Sequence, residues 1–342
     1  MLPIERVFNR LQGKPTDRVP YAPLATLYGA RLISCHLNEY YANPQKYLKG
    51  QIAVVDKLEP DILFTPFALV MEAEAFGSKA VYFEKNPPNL KIPAIVSLAD
   101  IGNLSVPELE NHPRLVYLLE STKLLVEQYK NQIPIAAIVS SPTELPALIM
   151  GIEKWIDTLL FHPEETRQML ELTSSFFVKF SNTLLSIGAS FILTPASFSN
   201  STIITQQIAK NVLIPELRNQ YAKINGPIVF HHGGARLLPF LEFFHNLPNV
   251  VSFVLDPRDS FDEARMIIGN NIAIMGNING SLLLKANPKT IEGWVLKLLE
   301  NRKNDSKYIM TTSNADIPYD TPLKNLNIIT ETIRKYEING NK

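Results

Sequence analysis

Eight short β-rich apolar runs, each followed by a stretch of helical periodicity, constrain this 342-residue chain more than any other feature. The runs fall at 19–25, 62–68, 133–139, 191–194, 227–231, 250–255, 272–276 and 308–312. Most are continuously apolar rather than alternating, as strands covered on both faces of a parallel sheet are. Between them, 114–129 places Leu115, Leu118, Leu119, Leu124 and Leu125 among charged residues. Pro163-Glu164-Glu165 opens another amphipathic stretch, 163–187, with proline at an early helical position and acids where the helix dipole favours them. Ser260 and Glu263 have capping-box spacing, and a later helix begins near Lys289. Eight strand–helix units predict α/β architecture: a (β/α)8 TIM barrel, one domain spanning 1–342. The surplus length lies in the N-terminal half, where 80–84 reads as an extra strand leading to Asn86-Pro87-Pro88. A doubly wound sheet is the alternative, but no GxGxxG follows the first strand.

Lys+Arg and Asp+Glu both number 33, so nothing in the charge balance asks for a polyanionic partner, and nucleic-acid binding is not expected. The single cysteine, Cys35, rules out an intrachain disulfide and any site needing several thiolates. No apolar run is long enough to span a membrane, and the start of the chain lacks a signal-peptide pattern, so a cytoplasmic protein is expected.

In a parallel barrel the substrate is met at the strand C-termini. Under this strand assignment the polar residues at those ends are Thr26, Thr65, Ser140, Ser141, Thr194, Ser197, His231, His232, Asp256, Asn277, Asn279, Ser313 and Asn314. Helix capping explains Thr26, Ser140, Ser141 and Ser197 as well as function does. His231, Asp256 and Asn277 each follow an apolar run and enter a loop. His36, His112, His162 and His245 read as surface or packing residues. Adjacent strand residues point to opposite faces, so His231 is expected to face the barrel axis and open onto the pocket, with His232 on the other side. His231 and Asp256 are the candidate catalytic pair, joined by a hydrogen bond for proton transfer or sharing a metal with Glu72, Glu74 or His232 as further ligands. Thr194, Ser197, His232, Asn277, Asn279, Asn314, Glu72 and Glu74 are the candidate substrate-binding set.

Several segments carry a family resemblance. They are 5–20, Thr65-Pro66-Phe67 with 72–77, Gly151-Ile152-Glu153-Lys154, 228–234, Met275-Gly276-Asn277-Ile278 and 317–325. In order and spacing they resemble uroporphyrinogen decarboxylase-like proteins, nearest the methylcobamide:coenzyme M methyltransferase branch. The resemblance implies the same barrel, a small-molecule substrate or methyl donor, and a corrinoid presented by a partner protein. It leaves a homodimer open. It also implies a zinc ion held by a His-x-Cys-Gly motif and a later Gly-Cys motif, with zinc keeping a methyl-accepting thiol ionised. Here those motifs read His231-His232-Gly233-Gly234 and Asn314-Ala315-Asp316, so Gly233 and Ala315 stand where the cysteines would. The family zinc site is therefore expected to be lost, with His231 and Asp256 as residual metal candidates. The decarboxylase branch relies on an arginine-rich stretch for substrate carboxylates, and Arg31 is the one candidate in that region. The expected function is that of a methyltransferase-like enzyme. The alternatives are a metal-independent carboxy-lyase acting on a carboxylated, tetrapyrrole-like substrate, or a non-catalytic tetrapyrrole- or corrinoid-binding barrel.

Overall fold

The computed structural model describes the backbone of residues 1–340 and the side chains of 1–336. Among the described residues ten strands form: β1 (Tyr21–Ala22), β2 (Leu63–Phe64), β3 (Lys79–Val81), β4 (Asn89–Ile92), β5 (Ile135–Ile138), β6 (Phe191–Pro195), β7 (Ile228–His231), β8 (Val250–Val254), β9 (Ala273–Asn279) and β10 (Tyr308–Ser313). Eight of them make one sheet in the order β1-β10-β9-β8-β7-β6-β5-β2, every pairing parallel. The chain therefore folds as the expected TIM barrel. The remaining two, β3 and β4, pair antiparallel as a hairpin inserted between β2 and β5.

Strand parity sorts the apolar residues into two layers. Ala22, Phe64, Ala136, Ile138, Phe191, Leu193, Val229, Val254, Met275 and Ile309 fill the barrel interior, and Val7 joins them from below. Their neighbours Ile135, Ala137, Ile192, Ile228, Phe230 and Phe253 belong to the outer layer, under the helices. The helix Pro3–Leu11 closes the N-terminal end of the barrel, where Phe8 stacks on Phe191 with ring centroids 5.5 Å apart.

β1 and β2 are two residues each, shorter than expected, because Pro23 and Pro66 follow them closely and offer no N–H to a ladder. The seam between them is closed by Asp61. Its N–H donates to Tyr21 O (2.7 Å), and its Oδ2 accepts the Tyr21 N–H at 2.7 Å. The same carboxylate receives Arg18 Nη1 at 2.6 Å and also pairs with Arg6, while Arg6 reaches on to Asp17. A carboxylate with no exposed surface is thus met by two guanidiniums, which offsets much of its desolvation cost.

The helices form where the sequence places their caps. Helix Pro113–Tyr129, helix Pro163–Ile187 and helix Pro288–Arg302 all begin on proline, and Ser260 Oγ accepts the Glu263 N–H at the start of helix Phe261–Ile268. Among the described residues no helix is long and apolar enough to cross a membrane.

Candidate active site at the barrel mouth

His231 ends β7 with the parity of Val229, so its ring points into the barrel. The chain leaves the strand after it, and alternation no longer governs His232. The two rings stack, with centroids 4.5 Å apart and planes inclined by 23°, instead of facing opposite sides as expected. Both are buried. His231 Nδ1 accepts the Gly233 N–H (3.0 Å), which leaves the ring proton on Nε2, and Nε2 has no partner. Burial, with His232 alongside, pushes the His231 pKa well below its ordinary value, so the ring is neutral.

His232 crosses the mouth. Its Nε2 accepts the Asn314 N–H (3.2 Å), while Nδ1 lies 3.1 Å from Ala235 O and 3.3 Å from Asp256 Oδ2. The expected His231–Asp256 pair is therefore replaced by His232–Asp256. Asp256 is also gripped by Arg258 through Nε (2.6 Å) and Nη2 (3.0 Å). Burial would raise the Asp256 pKa, but the Arg258 hydrogen bonds outweigh it and hold the carboxyl below its usual range. For His232, burial lowers the pKa against the opposing pull of Asp256.

Three buried carboxyls at the same end have no such cation. Glu72 takes the Ser140 N–H on both oxygens (3.0 and 3.2 Å), and burial pushes its pKa up to about 8. Glu144 accepts the N–H groups of Phe198 and Ser199, each at 2.7 Å, and burial raises it to about 7. Asp316 Oδ2 accepts from the Thr26 hydroxyl and from Leu27 N–H (2.9 Å), and burial raises this group to about 7 as well. Its Oδ1 is buried without a partner. The nearby Ile317 N–H is spent on Leu24 O at 2.8 Å.

Of these groups Asp316 lines a cavity of about 440 Å³ over the barrel mouth, a volume within the range of small-molecule sites. Phe67, Leu69 and Val70 form one wall, Leu148, Ser197 and Phe198 another, and Ala315 with Asp316 a third. Phe83 and 86–89, from the β3–β4 hairpin, roof it. No lysine or arginine lines it among the described residues, and Asp316 is its one ionisable group.

Of the expected site residues, only Ser197 reaches this cavity. Neither imidazole lines it, so His231 points inward without opening onto the pocket. Thr194 faces outward, where its hydroxyl pairs with Tyr221 Oη at 2.8 Å. Glu74 binds Tyr82 Oη (2.6 Å) and Arg114 (3.1 Å), outside the mouth. Asn277 donates to the carbonyls of Asp256 and Asp259 and, with Asn279, borders a separate side cleft. Asn279 Oδ1 caps Ser281 and accepts from Asn314 Nδ2, so the three asparagines brace loops. Arg31 donates to Tyr319 O and does not line the cavity. Thr65 and Ser313 tie strand ends together, through the Ile138 N–H (2.9 Å) and Leu255 O (3.0 Å).

Glu144 and Asp316 were not foreseen. Each had a signal: Glu144 is the lone charge before Leu145-Pro146-Ala147-Leu148-Ile149-Met150, and Asp316 follows a barrel strand directly before Ile317-Pro318.

A family profile described as uroporphyrinogen decarboxylase (URO-D) matches residues 2–336. The chain belongs to this family. Within it, the methylated-thiol–coenzyme M methyltransferase of Methanosarcina mazei is 22% identical, over 95% of this chain and 87% of that protein. The methylcobamide:CoM methyltransferase MtbA of the same organism is also 22% identical, over 98% of both. A solved structure, a methyltransferase from Methanosarcina mazei, superposes with a TM-score of 0.86 at 17% identity, covering 98% of this chain and 99% of that one. That likeness shows the fold. The relatives are enzymes, and methyl transfer is the reaction in the names of both methyltransferases.

Proposed function

We propose that this uroporphyrinogen decarboxylase-family chain is a methyltransferase-like enzyme that binds a small organic substrate in the mouth cavity and does not use the family's zinc-thiolate site. The observation that carries the reading is the cavity's make-up: apolar walls, one buried carboxyl and no cation among the described residues. A substrate bearing many carboxylates would need cationic partners there, so decarboxylation of a tetrapyrrole fits poorly. A corrinoid macrocycle exceeds this cavity. A methylated corrinoid would therefore act from the rim, carried by a partner protein, as a substrate rather than a resident cofactor.

The donors around His231 do not suit thiolate-bound zinc. Among the described residues no group of three His, Cys, Asp or Glu side chains is placed to hold a metal. A Cβ on Gly233 would lie 2.3 Å from Ser197 N, so a cysteine at 233 has no room on this backbone. Binding a metal through His231 Nε2 would also require moving the ring proton to Nδ1, against the Gly233 N–H. What remains at the mouth is a set of positioning contacts. Glu144 fixes the Phe198 wall, His232 ties the Asn314 loop to β7, and Asp316 is held by Thr26 and Leu27.

The test is to incubate the purified protein with methylcobalamin and a neutral acceptor, 2-mercaptoethanol or phenol. Loss of the methylcobalamin spectrum and methylated product by mass spectrometry are expected, unaffected by chelators. Stoichiometric zinc in the purified protein, or carbon dioxide released from uroporphyrinogen, would overturn the reading.

A further inference from the structure

We infer that Asp316 Oδ1 is the proton acceptor of the mouth cavity, and that the ligand is a small neutral molecule with an apolar body and one X–H group: a thiol, alcohol, phenol or amine. The inference deepens the methyl-transfer reading and rests on it for its chemistry.

The geometry comes first. Asp316 is 5% exposed, and its two oxygens are unequally used. Oδ2 is saturated by Thr26 and Leu27, which fix the carboxyl plane, while Oδ1 is left without a partner. An orphaned buried carboxyl oxygen is costly, and a ligand hydrogen bond is one way to recover that cost. The residues sharing the cavity include Phe67, Phe83, Leu148 and Phe198, a lining for a compact apolar body. With no cation in the lining, an anionic ligand would meet only a like-charged or neutral acid. The other large recesses offer no orphaned acceptor. In the side cleft the Asn277 amide is spent on backbone carbonyls, and the one orphaned atom is a donor, Nε of Arg302, whose guanidinium is already paired with Asp262. The groove between helix Pro163–Ile187 and helix Ile214–Tyr221 has no orphaned buried side-chain atom.

The chemistry then balances. The lone pair on X forms the X–CH3 bond as the donor–CH3 bond breaks, and the donor keeps that bond's electron pair. The X–H proton passes to Oδ1 and leaves to solvent with product release. An acid raised to about 7 by burial can take up a proton near neutral pH and give it back. The titratable groups that feel its charge are Tyr40, Tyr41 and Tyr47, all pushed upward by burial and neutral in this range. Above the cavity, the hairpin residue Lys85 is paired with Asp320 at 3.0 Å, both exposed.

The experiment measures binding, by ligand-observed NMR, of phenol, toluene and benzoate to the wild type, Asp316→Asn and Ala315→Leu. At pH 8 the wild type should bind phenol at least about tenfold more tightly than toluene, as a hydrogen bond to a charged group allows. That advantage should shrink at pH 5.5, where Asp316 is protonated. Asp316→Asn presents an amide N–H₂ in place of Oδ1, so it should lose both the phenol advantage and its pH dependence. Its toluene binding should stay unchanged, which shows that the cavity is intact. Ala315→Leu should weaken every probe. The inference is overturned if phenol shows no advantage over toluene in the wild type, if Asp316→Asn binds phenol as the wild type does, or if benzoate binds best. Should Asp316→Asn not fold, the wild-type pH series and Ala315→Leu still decide the matter. Phenol binding through Asp316 without methyl transfer would sink the functional reading alone; methyl transfer at the wild-type rate in Asp316→Asn would sink this inference alone.

Discussion

The two ends of the barrel solve the same problem in opposite ways. At the N-terminal end, Asp61 is fully buried and receives two guanidiniums and a backbone N–H, so its charge is neutralised where the sheet must close. At the C-terminal end, Glu72, Glu144 and Asp316 are equally buried but meet only N–H and hydroxyl donors, and all three are displaced toward neutral pH. The first arrangement serves stability. The second keeps carboxyls near their titration midpoint beside a cavity, where a binding or catalytic group is useful.

The contrast can be broken most severely at the seam. Asp61→Ala takes the shared carboxylate from the buried Arg6 and the half-buried Arg18 and leaves the seam a single backbone hydrogen bond, and should cost about 3–5 kcal/mol in urea unfolding. A loss below about 1 kcal/mol would mean that the seam is closed by packing alone. At the mouth, Gly233→Ala forces a Cβ into the Ala196–Ser197 backbone at a φ of +66°, and should cost about 1–3 kcal/mol from overpacking. Full tolerance would show that the loop can move aside, and would weaken the case against a cysteine there. Glu144→Leu strands the Phe198 and Ser199 N–H groups, and about 1–3 kcal/mol should disappear with them. Glu144→Gln, which keeps one acceptor, should lose less.

The smallest effect sharpens the comparison through pH. A carboxyl whose folded pKa lies above its unfolded one favours the fold when protonated. That contribution is complete below the unfolded pKa, near 4, and is lost as pH rises through the folded value. With Glu72 near 8 and Glu144 and Asp316 near 7, stability should decline from about pH 4, where the unfolded carboxyls ionise, to about pH 8, and level off above it. Chemical denaturation across that range checks it, and Glu144→Gln with Asp316→Asn should flatten the slope. A slope unchanged in the double variant would mean that these carboxyls are ionised in the fold.

The barrel was legible because its strands are continuous apolar runs: each of the eight expected segments overlaps an observed strand, although β6, β9 and β10 run past the expected ends. What blurred their ends was proline, at 23 and 66, which trims β1 and β2 to two residues. The mouth was less legible because residues there follow loop geometry rather than strand period. His232 was assigned an outward face by a rule that expires one residue earlier, and Asp256 was given to the wrong imidazole as a result. Asn277 and Asn279 sit at strand ends as expected yet turn toward loop carbonyls and caps. Glu144 and Asp316 carry only a faint signal, an acid set directly against an apolar stretch, because burial of an acid is decided when the fold closes over it.

The roof over the cavity has a modular consequence. The β3–β4 hairpin is spliced into one strand–helix unit and contributes no hydrogen bond to the eight-stranded sheet. Its tip, 83–89, can lengthen, shorten or change chemistry without renegotiating the core. Lineages sharing this scaffold could therefore diversify their choice of small molecule by redrafting one short ribbon, while the proton-handling floor beneath it stays as it is.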